Sequence, residues 1–332
     1  MDGWQNRLTL RWDEFRERWG VHDIVPSVLV LLFLLIAVWL VLGWYWSREP
    51  RLFPVAAPAS AEGPAGLALV SVGARLARTL TDKPGGYTDN DVLPPGSMMD
   101  DMPAWERGVM WQLRDLAGAL VAPGRRDPLA PPAPPDVTEA VAAFGVDPGA
   151  WGMPSAESEF RRGGKALERH ASRLAGPGGS TLAMREIQLD HWLLAAQDRL
   201  DQLAARLNAA QAASLRGVPV SPGTEDVPST PWNRVDDAFF EARGASWALL
   251  HLLKAVEVDF GDLLAARHAN LDLRAAIHEL EAAQQPLWSP VVLNGAGFGV
   301  FANHSLIMAN YLGRASARLG EVQSQLVSAP AG

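Results

Sequence analysis

The sequence contains no cysteine and only three lysines among its 332 residues. The absence of cysteine excludes disulfides, thiol nucleophiles and cysteine-ligated zinc or iron–sulfur sites. The formal net charge is −8, which argues against a nucleic-acid partner, because proteins of that class present a basic face to the phosphates. No run of alternating β-branched residues predicts a strand. The composition therefore indicates a protein built from helices.

One apolar segment stands out, and it runs from Ile24 to Trp46 without a charged side chain. A helix of about 23 residues spans roughly 34 Å, which is enough to cross the hydrocarbon core of a bilayer. A cleaved signal peptide would have a shorter apolar region of about 7–15 residues, with its cleavage site close behind. The nearest small-residue triplet, at 59–61, lies too far downstream. We therefore predict an uncleaved transmembrane anchor.

The residues that flank this segment predict its orientation. Arginines are more numerous before the segment than after it, and this bias places the N-terminus in the cytoplasm and the C-terminal part in the periplasm. An apolar stripe at the helical period in residues 4–19 predicts a helix lying in the membrane interface. Tryptophans favour the headgroup level. The predicted membrane-interface residues are Trp4, Trp12, Trp19, Trp44 and Trp46.

The rest of the chain divides by composition and periodicity. We predict a cytoplasmic amphipathic segment at 1–23, a transmembrane helix at 24–46, a Pro/Ala/Gly-rich linker at 47–66 and a helical domain at 67–332. Two stretches, 189–210 and 235–263, space their apolar residues alternately by four and three. Such heptad seams pack helix on helix, and we expect Ser180 to cap the first of these helices. The predicted fold is all-α, an elongated bundle whose two seamed helices form an antiparallel pair.

Several short motifs resemble those of one protein family. They include Pro84-Gly85-Gly86-Tyr87, Leu93-Pro94-Pro95-Gly96 and, most specifically, Leu293-Asn294-Gly295 and Ala302-Asn303-His304-Ser305-Leu306. The chain resembles the DUF2333 family, an uncharacterised family of proteobacterial inner-membrane proteins. The resemblance implies an inner-membrane location and lends no catalytic role.

A few polar residues are candidates for a functional site. The Asn303-His304-Ser305 cluster at a helix start could bind an anion or a small ligand, but the favoured interpretation is that Asn303 caps the helix and His304 bonds a neighbouring carbonyl. Carboxylates such as Glu241 could serve glycoside acid/base chemistry, or could pair with an arginine and fix the helix register. A buried Glu106 beside a tryptophan would have a raised pKa. The candidate cluster comprises Glu106, Glu241, Arg243, Asn294, Asn303, His304 and Ser305.

No metal or cofactor site is predicted, because His278-Glu279 begins a zinc motif in which Ala282 replaces the second histidine. Two functional hypotheses remain. The first is a membrane-anchored periplasmic scaffold that contacts the bilayer, binds a protein partner in the cell envelope, and could also self-associate through its seams. The second is a hydrolase of envelope glycans or lipids, or a ligand-binding domain, that uses Glu106, Glu241 or His304. The second hypothesis requires those side chains to converge.

Overall fold

The computed structural model describes residues 21–55, 63–126, 132–215, 235–285 and 304–328, and within these ranges all regular structure is helical. The all-α prediction is therefore confirmed. The α-helices are α1 (Val21–Trp46), α2 (Leu67–Asp82), α3 (Asp101–Arg126), α4 (Pro135–Phe144), α5 (Ala156–Leu174), α6 (Glu186–Leu215), α7 (Val235–Asp259), α8 (Gly261–Ala266), α9 (Asn270–Ala282) and α10 (His304–Val327), with short 3₁₀ turns at Gly96–Met98 and Gly179–Leu182.

Helix α1 stands apart from the core of the domain. Its segment Val25–Trp46 has a mean hydropathy of 3.0, and no part of the most apolar stretch is buried. Pro26 is the sixth residue of the helix, so its missing N–H removes the intrahelical hydrogen bond to the carbonyl of His22. By length and composition α1 can cross a membrane. The predicted interfacial stripe, with Trp4, Trp12 and Trp19, lies outside the described residues.

Helices α3 and α7 form the centre of the domain and cross at two glycines. A Cβ on Gly108 would lie 2.1 Å from the carbonyl oxygen of Glu241, and a Cβ on Gly244 would lie 2.0 Å from that of Trp105. The two backbones therefore approach more closely than any larger residue allows. Around this crossing, Val109 and Leu113 of α3 are fully buried, so the close approach lets both helices contribute to one continuous core.

The two heptad seams are buried, but their main partners differ from the predicted ones. Helix α7 packs chiefly on α3, and α6 chiefly on α10. The α6–α10 pair is antiparallel: Ser316 Oγ donates to Asp201 at 2.6 Å, and Gln323 Nε2 donates to the carbonyl of Asp190 at 3.2 Å. The expectation that the two seamed helices form an antiparallel pair was wrong, because α6 and α7 both run antiparallel to α3 and each packs chiefly on another helix. A heptad seam marks the apolar face of a helix, whereas the glycine crossing selects the partner of α7.

The start of α6 also differs from the prediction. Ser180 lies in the 3₁₀ turn, and α6 begins six residues later at Glu186. There the side chain of Gln188 accepts a hydrogen bond of 2.9 Å from the backbone N–H of Arg185. The intervening chain is extended because the N–H of Met184 donates to the carbonyl of Ala65 at 2.8 Å. This long-range bond prevents the helix from starting at Ser180.

Helix α2 is capped by a residue from the far end of α7. Its preceding residue is Gly66, which offers no side chain for capping. The carboxylate of Asp259 instead accepts the N–H groups of Ala68 at 2.9 Å and Leu69 at 2.7 Å. Burial raises the pKa of Asp259 to about 6, while the backbone N–H donors oppose this shift. The cap fixes the N-terminus of α2 against α7.

Candidate functional site

The segment that follows the anchor, residues 47–55, lies on the helical domain, and we call it the anchor-exit segment. Its Glu49 forms an ion pair with Arg243 of α7, whose Nε lies 2.7 and 2.8 Å from the two carboxylate oxygens. The side chain of Arg243 is 7% exposed and that of Glu49 is 22% exposed. The first part of the predicted linker is therefore attached to the domain core.

Arg243 also binds the end of α9. Its Nη1 donates to the carbonyls of Ala283 at 3.0 Å and Gln285 at 3.1 Å. These carbonyls follow the last turn of α9, where backbone oxygens have no helical partner. A single guanidinium thus joins three parts of the chain: the anchor exit, α7 and the C-terminal end of α9. The planar fork of arginine suits this role better than the point charge of a lysine.

A second contact holds the anchor-exit segment four residues later. The N–H of Phe53 donates to Nε2 of His251 at 3.1 Å, and Nδ1 of His251 lies 2.7 Å from the carbonyl of Trp247. His251 is therefore neutral, with its proton on Nδ1. The phenyl ring of Phe53 stacks on the imidazole with centroids 3.8 Å apart. The guanidinium of Arg75 lies 3.8 Å from the centroid of the same phenyl ring.

This contact is expected to depend on pH through His251. Burial lowers the pKa of His251 from 6.5 to about 4, so the unfolded state binds the proton more readily between these values. The contribution of neutral His251 to the free energy of unfolding is therefore complete above pH 6.5 and decreases as the pH falls towards 4. The loss at pH 5 is about 2 kcal/mol. We expect the backbone amide of Phe53 to exchange hydrogen about thirtyfold faster at pH 5 than at pH 7, after correction for intrinsic chemistry. Mass spectrometry of the full-length protein would measure this.

His251→Gln is the matched variant for this experiment. The glutamine oxygen can still accept the N–H of Phe53 but does not titrate. The acid-dependent acceleration should disappear in this variant. An equal acceleration in both proteins would show that another group controls the attachment of the segment.

The loop after α2 lies directly against the end of the anchor. Gly85 has a φ of +85°, and a Cβ there would lie 2.7 Å from Cγ of Trp46. Pro95 of the same loop has its Cβ 3.7 Å from the position that a Cβ on Gly43 would occupy. The Pro84–Gly96 loop thus packs on α1.

Glu106 holds this loop from beneath and is fully buried. Its carboxylate accepts the N–H groups of Thr88 and Asp89 at 2.9 Å each, and Nζ of Lys83 lies 2.6 Å from Oε1. Burial raises the pKa of Glu106 to about 7, and Lys83 and the backbone donors act in the opposite direction. With a lysine and backbone donors around it, the carboxylate organises the loop and presents no free oxygen to solvent.

The other predicted site residues have separate partners. Glu241 forms a bidentate ion pair with Arg206 of α6 at 2.6 and 2.9 Å, rather than with Arg243. Ser305 is fully buried near the start of α10. Asn294 and Asn303, and the side chain of His304, lie outside the described residues. The three described charged members of the candidate cluster, Glu106, Glu241 and Arg243, therefore serve three different contacts.

Sequence reasoning missed the residues that attach the anchor to the domain. Glu49, Phe53, His251 and Lys83 carried no motif, and the partners of Glu49 and Phe53 lie 194 and 198 residues away. The low number of lysines was the only available signal for Lys83. Across the described ranges, no group of three or more His, Asp or Glu side chains is arranged to hold a metal ion.

The fold and the junction define a class: a helical domain joined through a partly buried ion pair to an N-terminal helix that can cross a membrane. A family model described as an uncharacterized protein conserved in bacteria, DUF2333, matches residues 19–328. The chain therefore belongs to the DUF2333 family. No curated protein matches the chain, and no solved structure does.

Proposed function

We propose that this protein is a membrane-anchored helical scaffold of the bacterial cell envelope, which holds a partner-binding domain in a fixed orientation over the bilayer. In this proposal α1 crosses the inner membrane, the N-terminus is cytoplasmic and the domain is periplasmic. The partly buried ion pair of Glu49 with Arg243 carries the proposal. It lies three residues beyond the end of α1, where a flexible tether would otherwise leave the domain free to rotate.

The energetics of this ion pair support a role in orientation. Removing two charges from water costs several kcal/mol per ion before their attraction offsets it. An apolar contact could stabilise the same junction without that cost. A charge pair with additional carbonyl acceptors, however, accepts only one geometry. The arrangement therefore favours a fixed angle between anchor and domain over additional stability.

The alternative function is a hydrolase or a ligand-binding domain. Two of its three candidate residues make structural contacts instead. Glu106 is enclosed by Lys83 and the Thr88–Asp89 backbone, and Glu241 is paired with Arg206. Only His304 would remain available for chemistry. The contacts of the described residues thus favour the scaffold.

A cross-linking experiment in native membranes tests the scaffold. A photo-reactive residue replaces Leu194, which is 47% exposed on α6, in the full-length protein. We expect one protein partner to be captured in stoichiometric amounts. Glu49→Ala should reduce the yield about tenfold, because a domain without a fixed orientation must be ordered again on binding. Arg243 keeps its carbonyl acceptors in this variant, so the fold should persist.

Glu241→Ala is the matched control. It breaks a bidentate ion pair on the same helix but leaves the anchor exit intact, and it should preserve the yield. A second photo-reactive variant replaces Leu271, which is 78% exposed on α9. Two results would contradict the proposal: recovery of the protein alone from both positions, or an equal yield from wild type and Glu49→Ala.

A further inference from the structure

An apolar loop lies beside the anchor, and its side chains face away from the domain core. Residues 91–98, which we call the interface loop, carry Val92, Leu93 and Met98 with 62%, 74% and 77% of their surface exposed. The loop has a defined shape, because the N–H of Ser97 donates to the carbonyl of Leu93 at 3.1 Å and that of Met98 to the carbonyl of Pro95 at 3.0 Å. An ordered loop that exposes three large apolar residues is a contact surface.

The position of the loop identifies what it contacts. Pro95 packs at Gly43 of α1. Gly43 lies three residues before Trp46 and is therefore about 4.5 Å further into the anchor along the helix axis. Trp44 and Trp46 mark the headgroup level when α1 spans a bilayer. The interface loop therefore reaches the lipid side of that level, where a soluble protein partner has no access.

A cationic groove lies at the same end of the domain. It has a volume of about 830 Å³, and its lining includes Tyr45 and four arginines. Among the described residues no carboxylate forms an ion pair with Arg48, Arg51 or Arg75, while Arg78 pairs with Glu168. Two acids also line the groove: Glu49 is already bound to Arg243, and Asp82 lies 4.0 Å from Arg161. We call Arg48, Arg51, Arg75 and Arg78 the arginine groove.

Two of these arginines are oriented by aromatic rings. The guanidinium of Arg48 lies 4.0 Å from the ring centroid of Trp44, and that of Arg75 lies 3.8 Å from the ring centroid of Phe53. Such contacts satisfy the face of a guanidinium and leave its N–H edge free for an anion. Tyr45 and Arg48 place the groove at the anchor end, where the nearest anions in a membrane are phospholipid phosphates.

We propose that the domain docks this face on the bilayer, with the interface loop among the headgroups and upper acyl chains and the arginine groove holding phospholipid phosphates. The inference rests on the transmembrane placement of α1 in the proposed function. It adds a second, non-covalent attachment to the membrane that fixes how closely the domain lies to the lipid surface.

The absence of native cysteine allows a direct test by single-cysteine labelling. The full-length protein carries an environment-sensitive fluorophore at Leu93→Cys, Leu35→Cys or Leu271→Cys and is reconstituted in phosphatidylcholine vesicles that contain nitroxide-labelled lipid. Leu35 lies within α1, and Leu271 is 78% exposed. Leu271 lies in the first turn of α9. Along the helix axis it is roughly 18 Å from Ala283, whose carbonyl Arg243 binds.

We expect the lipid nitroxide to quench the probe at position 93 about half as strongly as at position 35 and several-fold more strongly than at position 271. Quenching at 35 without quenching at 93 would overturn the docking proposal and leave the anchor intact. An absence of quenching at position 35 would show that α1 does not lie in the bilayer, and it would contradict both proposals.

A second arm tests the arginine groove. With phosphatidylglycerol in the vesicles, quenching at position 93 should rise about twofold at low salt, because each arginine gains an anionic neighbour. The Arg51→Gln/Arg75→Gln variant should lose this rise. Inorganic phosphate should reduce this rise no more than sodium chloride does at the same ionic strength. An unchanged rise in the variant would overturn the role of the arginines, and a larger loss with phosphate than with chloride would assign the groove to free phosphate.

Discussion

Replacing Gly244 by alanine is expected to destabilise the domain by about 3 kcal/mol or more, because the added methyl group has no space. Its carbon would lie 2.0 Å from the carbonyl oxygen of Trp105, and a backbone atom cannot move aside as a flexible side chain does. Helices α3 and α7 would have to separate along the centre of the core. Urea unfolding of the full-length protein in detergent, followed by tryptophan fluorescence, would measure the change in the free energy of unfolding.

Gly118→Ala provides the matched control on α3. A Cβ at position 118 meets no atom within 4 Å, so this substitution should stabilise the helix by about 0.5–1 kcal/mol through its higher helix propensity. Gly108→Ala should resemble Gly244→Ala, since it affects the same crossing from the other side. The close-crossing explanation fails if Gly244→Ala and Gly118→Ala unfold at the same urea concentration.

Glu106→Ala is expected to cost about 3–5 kcal/mol, the effect of leaving one partner of a buried ion pair without its counter-charge. The side chains of Lys83 and Glu106 are 1% and 0% exposed, so the abandoned ammonium group has no access to water. The backbone N–H groups of Thr88 and Asp89 lose their acceptor at the same time. Thermal and urea unfolding should agree on the loss, and proteolysis should increase first within residues 84–98.

Glu281→Ala tests the same chemistry at the surface. Lys254 and Glu281 also approach to 2.6 Å, but their side chains are 31% and 43% exposed. Water replaces a lost partner there, and the expected cost is below about 1 kcal/mol. The double variant Lys83→Met/Glu106→Gln should recover much of the loss, because it removes both charges and keeps an acceptor for the loop. Equal costs for Glu106→Ala and Glu281→Ala would contradict the role of burial.

Local patterns in the sequence predicted those features that depend on neighbouring residues. The period of apolar side chains gave the helices, and the length and composition of 24–46 gave a helix that can cross a membrane. The apolar face of the seam at 189–210 is likewise local, and α6 spans Glu186–Leu215. In each case the helical period brings the informative residues within a few positions of one another.

The candidate site could not be predicted in this way, because its contacts join distant parts of the chain. Nothing near Glu49 indicates that its partner is Arg243, and nothing near Phe53 indicates His251. Gly108 and Gly244 would be expected to weaken an isolated helix, yet in the fold they allow the central crossing. A heptad seam similarly indicates which face of a helix is buried, but it does not indicate which helix covers that face. Pairing is decided by shape complementarity across the whole domain.

The cap on α2 has a consequence for how the protein is made. Helix α2 leaves the ribosome soon after the anchor, but the carboxylate that satisfies its first N–H groups belongs to Asp259, which is synthesised about 190 residues later. At roughly 5–20 residues per second the delay is tens of seconds at the slower rate. In the proposed membrane placement of α1, the anchor carries an incomplete first segment at the membrane surface during that interval. The order of synthesis therefore makes α7 the element whose arrival completes both the cap and the junction, and truncation before it should leave an inserted but unfolded chain.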